Sequence, residues 1–369
     1  MRVLMIAEQL RRAVPGGIGT YVRGLAKGLH DIAGFEASGS VQPYRVEVTV
    51  FASRPSGDRR ADPLLALGFP VRCSPLPGPA LTRSWDLGLL KLPPAGLSVD
   101  VVHATSLATA ASPAPITVAI HDLAWRQLPE AFPLRGRRWH EAALARAVER
   151  ASRLIVPSTA TADALVASGA GPDRVVVIEE GCDHLPPPDF PGAASFLERL
   201  DVRGPYLLSV STLEPRKNLS RLLAGYAAAR ERLPEPWPLV VAGPPGWGPE
   251  LSPGPGAVLA GRVEPAVLAA LYAQARALVY VPLIEGFGLP AVEAMAAGIP
   301  VVASTMPSAG SAAQTVDPVD TDAIAEAIVA VATDDRLRRR LVAAGRTRAR
   351  DLTWAATARR HIEVWSSLV

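Results

Sequence analysis

Short runs of β-branched and aliphatic residues alternate with Ala/Leu-rich stretches of helical length along almost the whole chain, with one clear break. This pattern calls for parallel sheets with helices on both faces, because parallel neighbours need a crossover and a helix is the usual one. Strands are expected near 2–7, 45–51, 99–103, 115–120, 153–157 and 174–178, with helices near 18–31, 137–151 and 159–168. The stretch 52–98 is rich in Pro and Gly and carries no period that assigns it. The break is Gly181-Cys182-Asp183-His184-Leu185-Pro186-Pro187-Pro188. Three prolines in a row continue neither a helix nor a central strand. The alternation restarts with strands near 205–210, 238–242, 257–260, 277–281 and 300–303, and helices near 218–232, 265–274, 290–297, 321–332 and 334–350. The expected division is an α/β domain over 1–183, a linker over 184–198, a second α/β domain over 199–352, and a helix over 353–369 that can cross back to the first domain.

Composition narrows the function classes. A chain of 369 residues is too long for one compact core and suits two domains. With 38 Lys+Arg against 35 Asp+Glu, the net charge of +3 argues against a nucleic-acid partner. Cys73 and Cys182 form neither a disulfide framework nor a zinc spacing, as expected in a reducing compartment. No apolar run has the length of a membrane span, and the apolar start at 1–7 soon meets Glu8, Arg11 and Arg12. A first strand in a cytoplasmic protein is the expectation. Only three of the basic residues are lysine: Lys27, Lys91 and Lys217.

The most informative segment runs from Glu285 to Val302, directly after the expected strand at 277–281. Its glycines, Gly286 and Gly288, permit a tight turn and close approach to a ligand. Pro290 suits the first helical position. The N–H groups of Gly286, Phe287, Gly288 and Leu289 would then sit at the positive end of a helix dipole, an arrangement that binds phosphate. Glu285 and Glu293 would repel phosphate, so they suit hydroxyls of a sugar or ribose, each carboxylate accepting two protons. On spacing alone, a loop acid and a helix N-terminal acid explain them equally well.

This segment resembles the paired-glutamate signature of the retaining glycosyltransferases of family 4. Further motifs agree in order and spacing: Gly16-Gly17-Ile18-Gly19-Thr20-Tyr21, His103 in 101–105, His121-Asp122-Leu123, Pro157-Ser158-Thr159, the run from Thr212 to Leu219 containing Arg216 and Lys217, and 243–248. The resemblance covers about 1–365. It implies the GT-B fold, with two Rossmann-like doubly wound α/β domains facing across a cleft. The acceptor would lie on the first domain and the nucleotide-sugar on the second.

The resemblance also implies roles. Arg216 and Lys217 would grip the donor diphosphate, whose developing charge fixed cations stabilise. Glu293 would hold the ribose. Glu285, with the backbone at 286–288, would hold hydroxyls of the transferred sugar. Gly17 would offer a backbone N–H to the diphosphate, and His121 would lie beside the donor sugar. No cofactor is implied beyond the nucleotide-sugar donor substrate. Similarity to bacterial mannosyltransferases of polysaccharide assembly favours GDP-mannose over a UDP-sugar. The acceptor would be a glycan, a lipid-linked glycan or a small molecule. Arg135, Arg137, Arg138 and Trp139 could make peripheral contact with the inner face of an anionic membrane.

Asp320-Thr321-Asp322 has a metal-binding spelling but precedes an expected helix, where Asp320 suits the N-cap. The glycines at 16–19 begin too long after the first strand for a dinucleotide loop. The chain departs from the family at Ser211, at Pro282, and in 305–311, which is short and lacks a Pro-Glu-Val or Arg-Glu-Val element. That shortening leaves a catalytically silent nucleotide-sugar-binding protein as an alternative. Another GT-B enzyme, a phosphorylase or a sugar-nucleotide epimerase, is a further one.

Overall fold

A computed structural model of the chain describes residues 1–36 and 46–369, which form two compact units. One comprises 1–184 and 353–369, the other 185–352.

The first unit contains β1 (Arg2–Ile6), α1 (Gly16–Glu36), β2 (Glu47–Ala52), β3 (Val71–Cys73), α2 (Gly78–Asp86), β4 (Val101–Ala104), β5 (Ile116–Ala119), α3 (Ala124–Gln127), α4 (Leu134–Arg150), β6 (Arg153–Val156), α5 (Thr159–Ala167) and β7 (Val175–Val177). The second contains α6 (Phe190–Arg199), β8 (Leu207–Val210), α7 (Leu219–Arg230), β9 (Leu239–Ala242), β10 (Ala257–Gly261), α8 (Pro265–Gln274), β11 (Ala277–Tyr280), α9 (Leu289–Ala297), β12 (Val301–Ser304), β13 (Gln314–Val316), α10 (Thr321–Thr333) and α11 (Asp335–Arg350). The last helix, α12 (Trp354–Ser366), belongs to the first unit.

Both sheets are parallel. The first has the order β3-β2-β1-β4-β5-β6-β7 and the second β10-β9-β8-β11-β12-β13. Strand order reverses beside β1 and beside β8, and ligands of doubly wound sheets bind at the carboxyl ends of strands at such a point. In β1, Val3 and Met5 pack on one face with α1 and α12, while Leu4 and Ile6 pack on the other with α2 and α4. Burial on both faces explains the continuous apolar run.

Several boundaries differ from the sequence reading. The unassigned stretch 52–98 holds β3 and α2, both too short to show a period. Residue 45 of the expected second strand lies outside the described residues. The stretch 184–198, expected as a linker, includes most of α6, whose first turn is capped by the Asp189 carboxylate accepting the Gly192 N–H at 3.0 Å. A proline run sets a boundary, but it says little about how soon the next helix begins.

Room for α12 against α1 comes from glycine. A Cβ on Gly24 would fall 2.0 Å from the Trp354 ring, and one on Gly28 2.0 Å from the Trp354 carbonyl. Beneath Trp354 runs a buried polar chain. Trp365 Nε1–H donates to Thr117 at 3.2 Å, and the Thr117 hydroxyl to His103 Nδ1 at 2.9 Å. His103 Nε2–H donates to Tyr21 at 3.0 Å, Tyr21 to His361 Nε2 at 2.7 Å, and His361 Nδ1–H to the Thr357 carbonyl at 2.8 Å. The carbonyl can only accept, and this fixes the direction of every preceding bond. His103 is therefore an interior structural residue, and burial holds it well below its usual range.

Candidate active site

At the carboxyl end of β8 the chain enters a tight turn, Pro215–Lys217, before α7. Here Arg216 and Lys217 meet Glu285 from the loop after β11. Lys217 Nζ pairs with Glu285 Oε1, and Arg216 Nη1 lies 3.4 Å from the same oxygen. Tyr280, the last residue of β11, donates to that oxygen at 2.7 Å and accepts from Lys217 at 2.9 Å. Arg216 Nε also pairs with Glu214 at 2.6 Å. Two acids thus balance two bases, and all four side chains are at most 17% exposed.

The electrostatics follow from that packing. Burial pushes the Lys217 ammonium below its ordinary range, with Glu285 opposing and Arg216 adding to the shift. Burial would raise the Glu285 carboxyl, but Lys217 and Arg216 outweigh it and hold it below its usual value. The carboxylate stays ionised and the cations stay oriented.

The turn Pro215–Lys217 is half-buried and leads into the buried Asn218, which sits at φ 59 with no capping bond from its side chain. Its amide donates instead to the carbonyls of Val281, at 2.9 Å, and Pro318, at 2.6 Å. The Leu283 N–H donates to the Arg216 carbonyl at 2.9 Å. These bonds tie the cationic turn to the loop that carries Glu285.

Gly286, Phe287, Gly288 and Leu289 follow, with Gly288 at φ 103 as the residue before α9 and Pro290 in its first turn. Phe287 and Leu289 are buried. Glu293 lies on the same helix, buried, and accepts from the Tyr272 hydroxyl of α8 at 2.6 Å. Burial first, and then the Glu293 charge, push the Tyr272 phenol well above its ordinary range, so it remains a donor. The second unit therefore gathers Arg216, Lys217 and Glu285 into one cluster and holds Glu293 on α9 by a separate partner.

Two expected site residues lie in the first unit. Gly17 is in the first turn of α1, and a Cβ there would meet nothing within 4 Å. His121 follows β5, with Nδ1 3.2 Å from Glu180 and Nε2 3.0 Å from the Thr105 carbonyl. The Tyr21 ring stands edge-on to it at 4.8 Å. Both His121 nitrogens thus have partners inside the unit. Asp320 caps α10, accepting the N–H groups of Asp322 and Ala323.

Tyr272, Tyr280 and Glu180 were not legible as site residues. The tyrosines lie in apolar runs that read as core, and Glu180 lies among loop residues before the proline break.

Residues 195–348 match the family model described as glycosyl transferases group 1, and 15–184 match the one described as glycosyltransferase family 4. The chain belongs to the family 4 glycosyltransferases. This family 4 chain is 30% identical over 249 residues to O-antigen chain mannosyltransferase B of Escherichia coli, covering 63% of the chain and 65% of the relative. It is 39% identical over 90 residues to a phosphatidyl-myo-inositol mannosyltransferase of Mycobacterium leprae, covering 23% and 24%. The matches thus span at most about two thirds of these relatives' lengths. Among solved structures it is similar to Anabaena HepE in complex with UDP and glucose, with a TM-score of 0.72 at 18% identity and full coverage of both chains. It is equally similar to a sucrose-phosphate synthase of Thermosynechococcus elongatus, with a TM-score of 0.72 at 20% identity, covering 100% and 99%. At such identity the likeness concerns the fold, which is GT-B.

Proposed function

We propose that the protein transfers a hexose from a nucleotide-sugar to an acceptor with retention of configuration. The observation that carries this is the Arg216–Lys217–Glu285–Tyr280 cluster at the carboxyl ends of β8 and β11, followed directly by the glycine turn into α9. Arg216 and Lys217 meet the charge that develops on the departing diphosphate. The amides at 286–289 add backbone donors at a helix N-terminus. Glu285 accepts from sugar hydroxyls, and Glu293, steadied by Tyr272, accepts from the ribose. Gly17 and His121 are the residues of the first unit expected to act on the donor.

Retention needs no covalent intermediate in this reading. Glu285 is ion-paired and hydrogen-bonded, which makes it a poor nucleophile. The acceptor oxygen attacks the face that the leaving group vacates. The bond from the anomeric carbon to the phosphate oxygen breaks, and that oxygen takes the acceptor proton. The protein supplies position and charge. No cofactor takes part, and turnover survives EDTA because the two side-chain cations serve the diphosphate.

The donor is GDP-mannose in preference to a UDP-sugar, since the sequence relatives above are named mannosyltransferases. The acceptor is a glycan, free or lipid-linked, or a small molecule. The protein is cytoplasmic and touches the inner membrane face through Arg135 and Arg138, both exposed on α4. No helix among the described residues is long and apolar enough to cross a membrane. Thermal-shift screening against a panel of nucleotide-sugars tests the class and the base together. Stabilisation by GDP-mannose and transfer of an α-linked sugar are expected. Binding without transfer or donor hydrolysis would leave a silent binding protein instead.

A further inference from the structure

The loop after β12 is the one that is short for the family, and it carries serines where the usual acidic element is missing. Ser308, fully buried, donates its N–H to the Phe287 carbonyl at 3.1 Å and its hydroxyl to the Gly288 carbonyl at 2.8 Å. Arg348 of α11 holds it from behind, with Nε donating to the Ser308 carbonyl at 2.8 Å. Ser304 makes a similar bond at the start of the loop after β11, to the Pro282 carbonyl at 2.7 Å. The approach is close: a Cβ on Gly288 would fall 2.7 Å from Met306 Sδ and 2.9 Å from Ser308 Oγ.

The consequence lies in the peptide planes. In a trans peptide the C=O and the following N–H point in opposite directions. Drawing the Phe287 carbonyl to Ser308 turns the Gly288 N–H the other way. The Gly288 carbonyl, which accepts from Ser308 and also from the Ala291 N–H at 3.1 Å, does the same to the Leu289 N–H. A carbonyl facing a phosphate repels it, whereas an N–H binds it.

We propose that Ser308 is a positioning residue that turns the amides of Gly288 and Leu289 toward the donor diphosphate. The shortened loop then replaces a missing acidic element with a serine clamp on the carbonyl side of the glycine turn. This rests on the donor-site reading above.

Calorimetry of Ser308→Ala with GDP, UDP and the matching nucleoside monophosphates tests it. Affinity for the preferred diphosphate is expected to fall about tenfold, the equivalent of a hydrogen bond to a charged group. Affinity for its monophosphate should change less than about twofold, because the nucleoside contacts are untouched. Equal weakening of both would make Ser308 a general packing residue and overturn the proposal, as would unchanged diphosphate binding. If the parent protein binds no nucleotide at all, the donor-site reading fails first and this inference falls with it. Should Ser308→Ala not fold, Arg348→Gln carries the test. It should show the same selective loss of diphosphate affinity, about two- to fivefold, and no selectivity there overturns the proposal.

Discussion

His121 and Glu180 pair within the first unit, with the imidazole Nδ1 3.2 Å from the carboxylate and Nε2 3.0 Å from the Thr105 carbonyl. The Glu180 carboxylate and the Thr105 carbonyl are both acceptors, an arrangement that favours the doubly protonated ring. Burial pulls its pKa down, but the bond to and charge of Glu180, aided by Thr105 and Asp122, leave it above the ordinary value. A raised folded-state pKa stabilises fully below the unfolded value of about 6.5 and is lost as pH rises through the folded value. The His121 ring is thus expected to titrate above pH 6.5 by NMR, and Glu180→Gln to lower its midpoint. An unchanged midpoint would refute the pairing.

His361 has the opposite linkage. Buried first of all, and opposed only by its bond to Thr357, it is pushed down to about 4. Stability is retained above about pH 6.5 and lost as pH falls to about 4, by on the order of 3 kcal/mol. Denaturant unfolding across that range should show the loss. His361→Gln should be less stable at neutral pH and should flatten the slope. If the variant and the parent protein lose stability in parallel, His361 is not its source.

Lys217→Ala should lower turnover by about 10²–10³-fold, the scale for removing a donor aimed at developing charge. Folding should survive, because Arg216 and Tyr280 still hold the Glu285 carboxylate. Transfer and donor hydrolysis at parental rates would remove Lys217 from the chemistry.

Glu293→Ala should chiefly weaken nucleotide binding. Tyr272→Phe should weaken it by about fivefold, near 1 kcal/mol, by removing one hydrogen bond that orients the carboxylate. Calorimetry with GDP and UDP decides this, and unchanged affinity in Tyr272→Phe would show that Glu293 needs no such brace.

Two glycines of α1 should respond in contrasting ways. Gly28→Ala drives a methyl into the Trp354 carbonyl and should cost about 1–3 kcal/mol in thermal unfolding. Gly17→Ala has open space and should leave unfolding unchanged. A neutral Gly28→Ala would contradict the docking of α12 on α1.

The sequence alone determined the two doubly wound sheets, the Asp320 cap and the segments that carry Arg216, Lys217, Glu285 and Glu293. Each is written in local order: a strand's apolar run, a cap beside its helix, a glycine turn after a strand. Only the tertiary structure decided the partners. Lys217 and Glu285 are 68 residues apart, His121 and Glu180 59, Tyr272 and Glu293 21. A hydrogen bond depends on a few tenths of an ångström between groups that different elements deliver, and no periodicity along the chain records that distance.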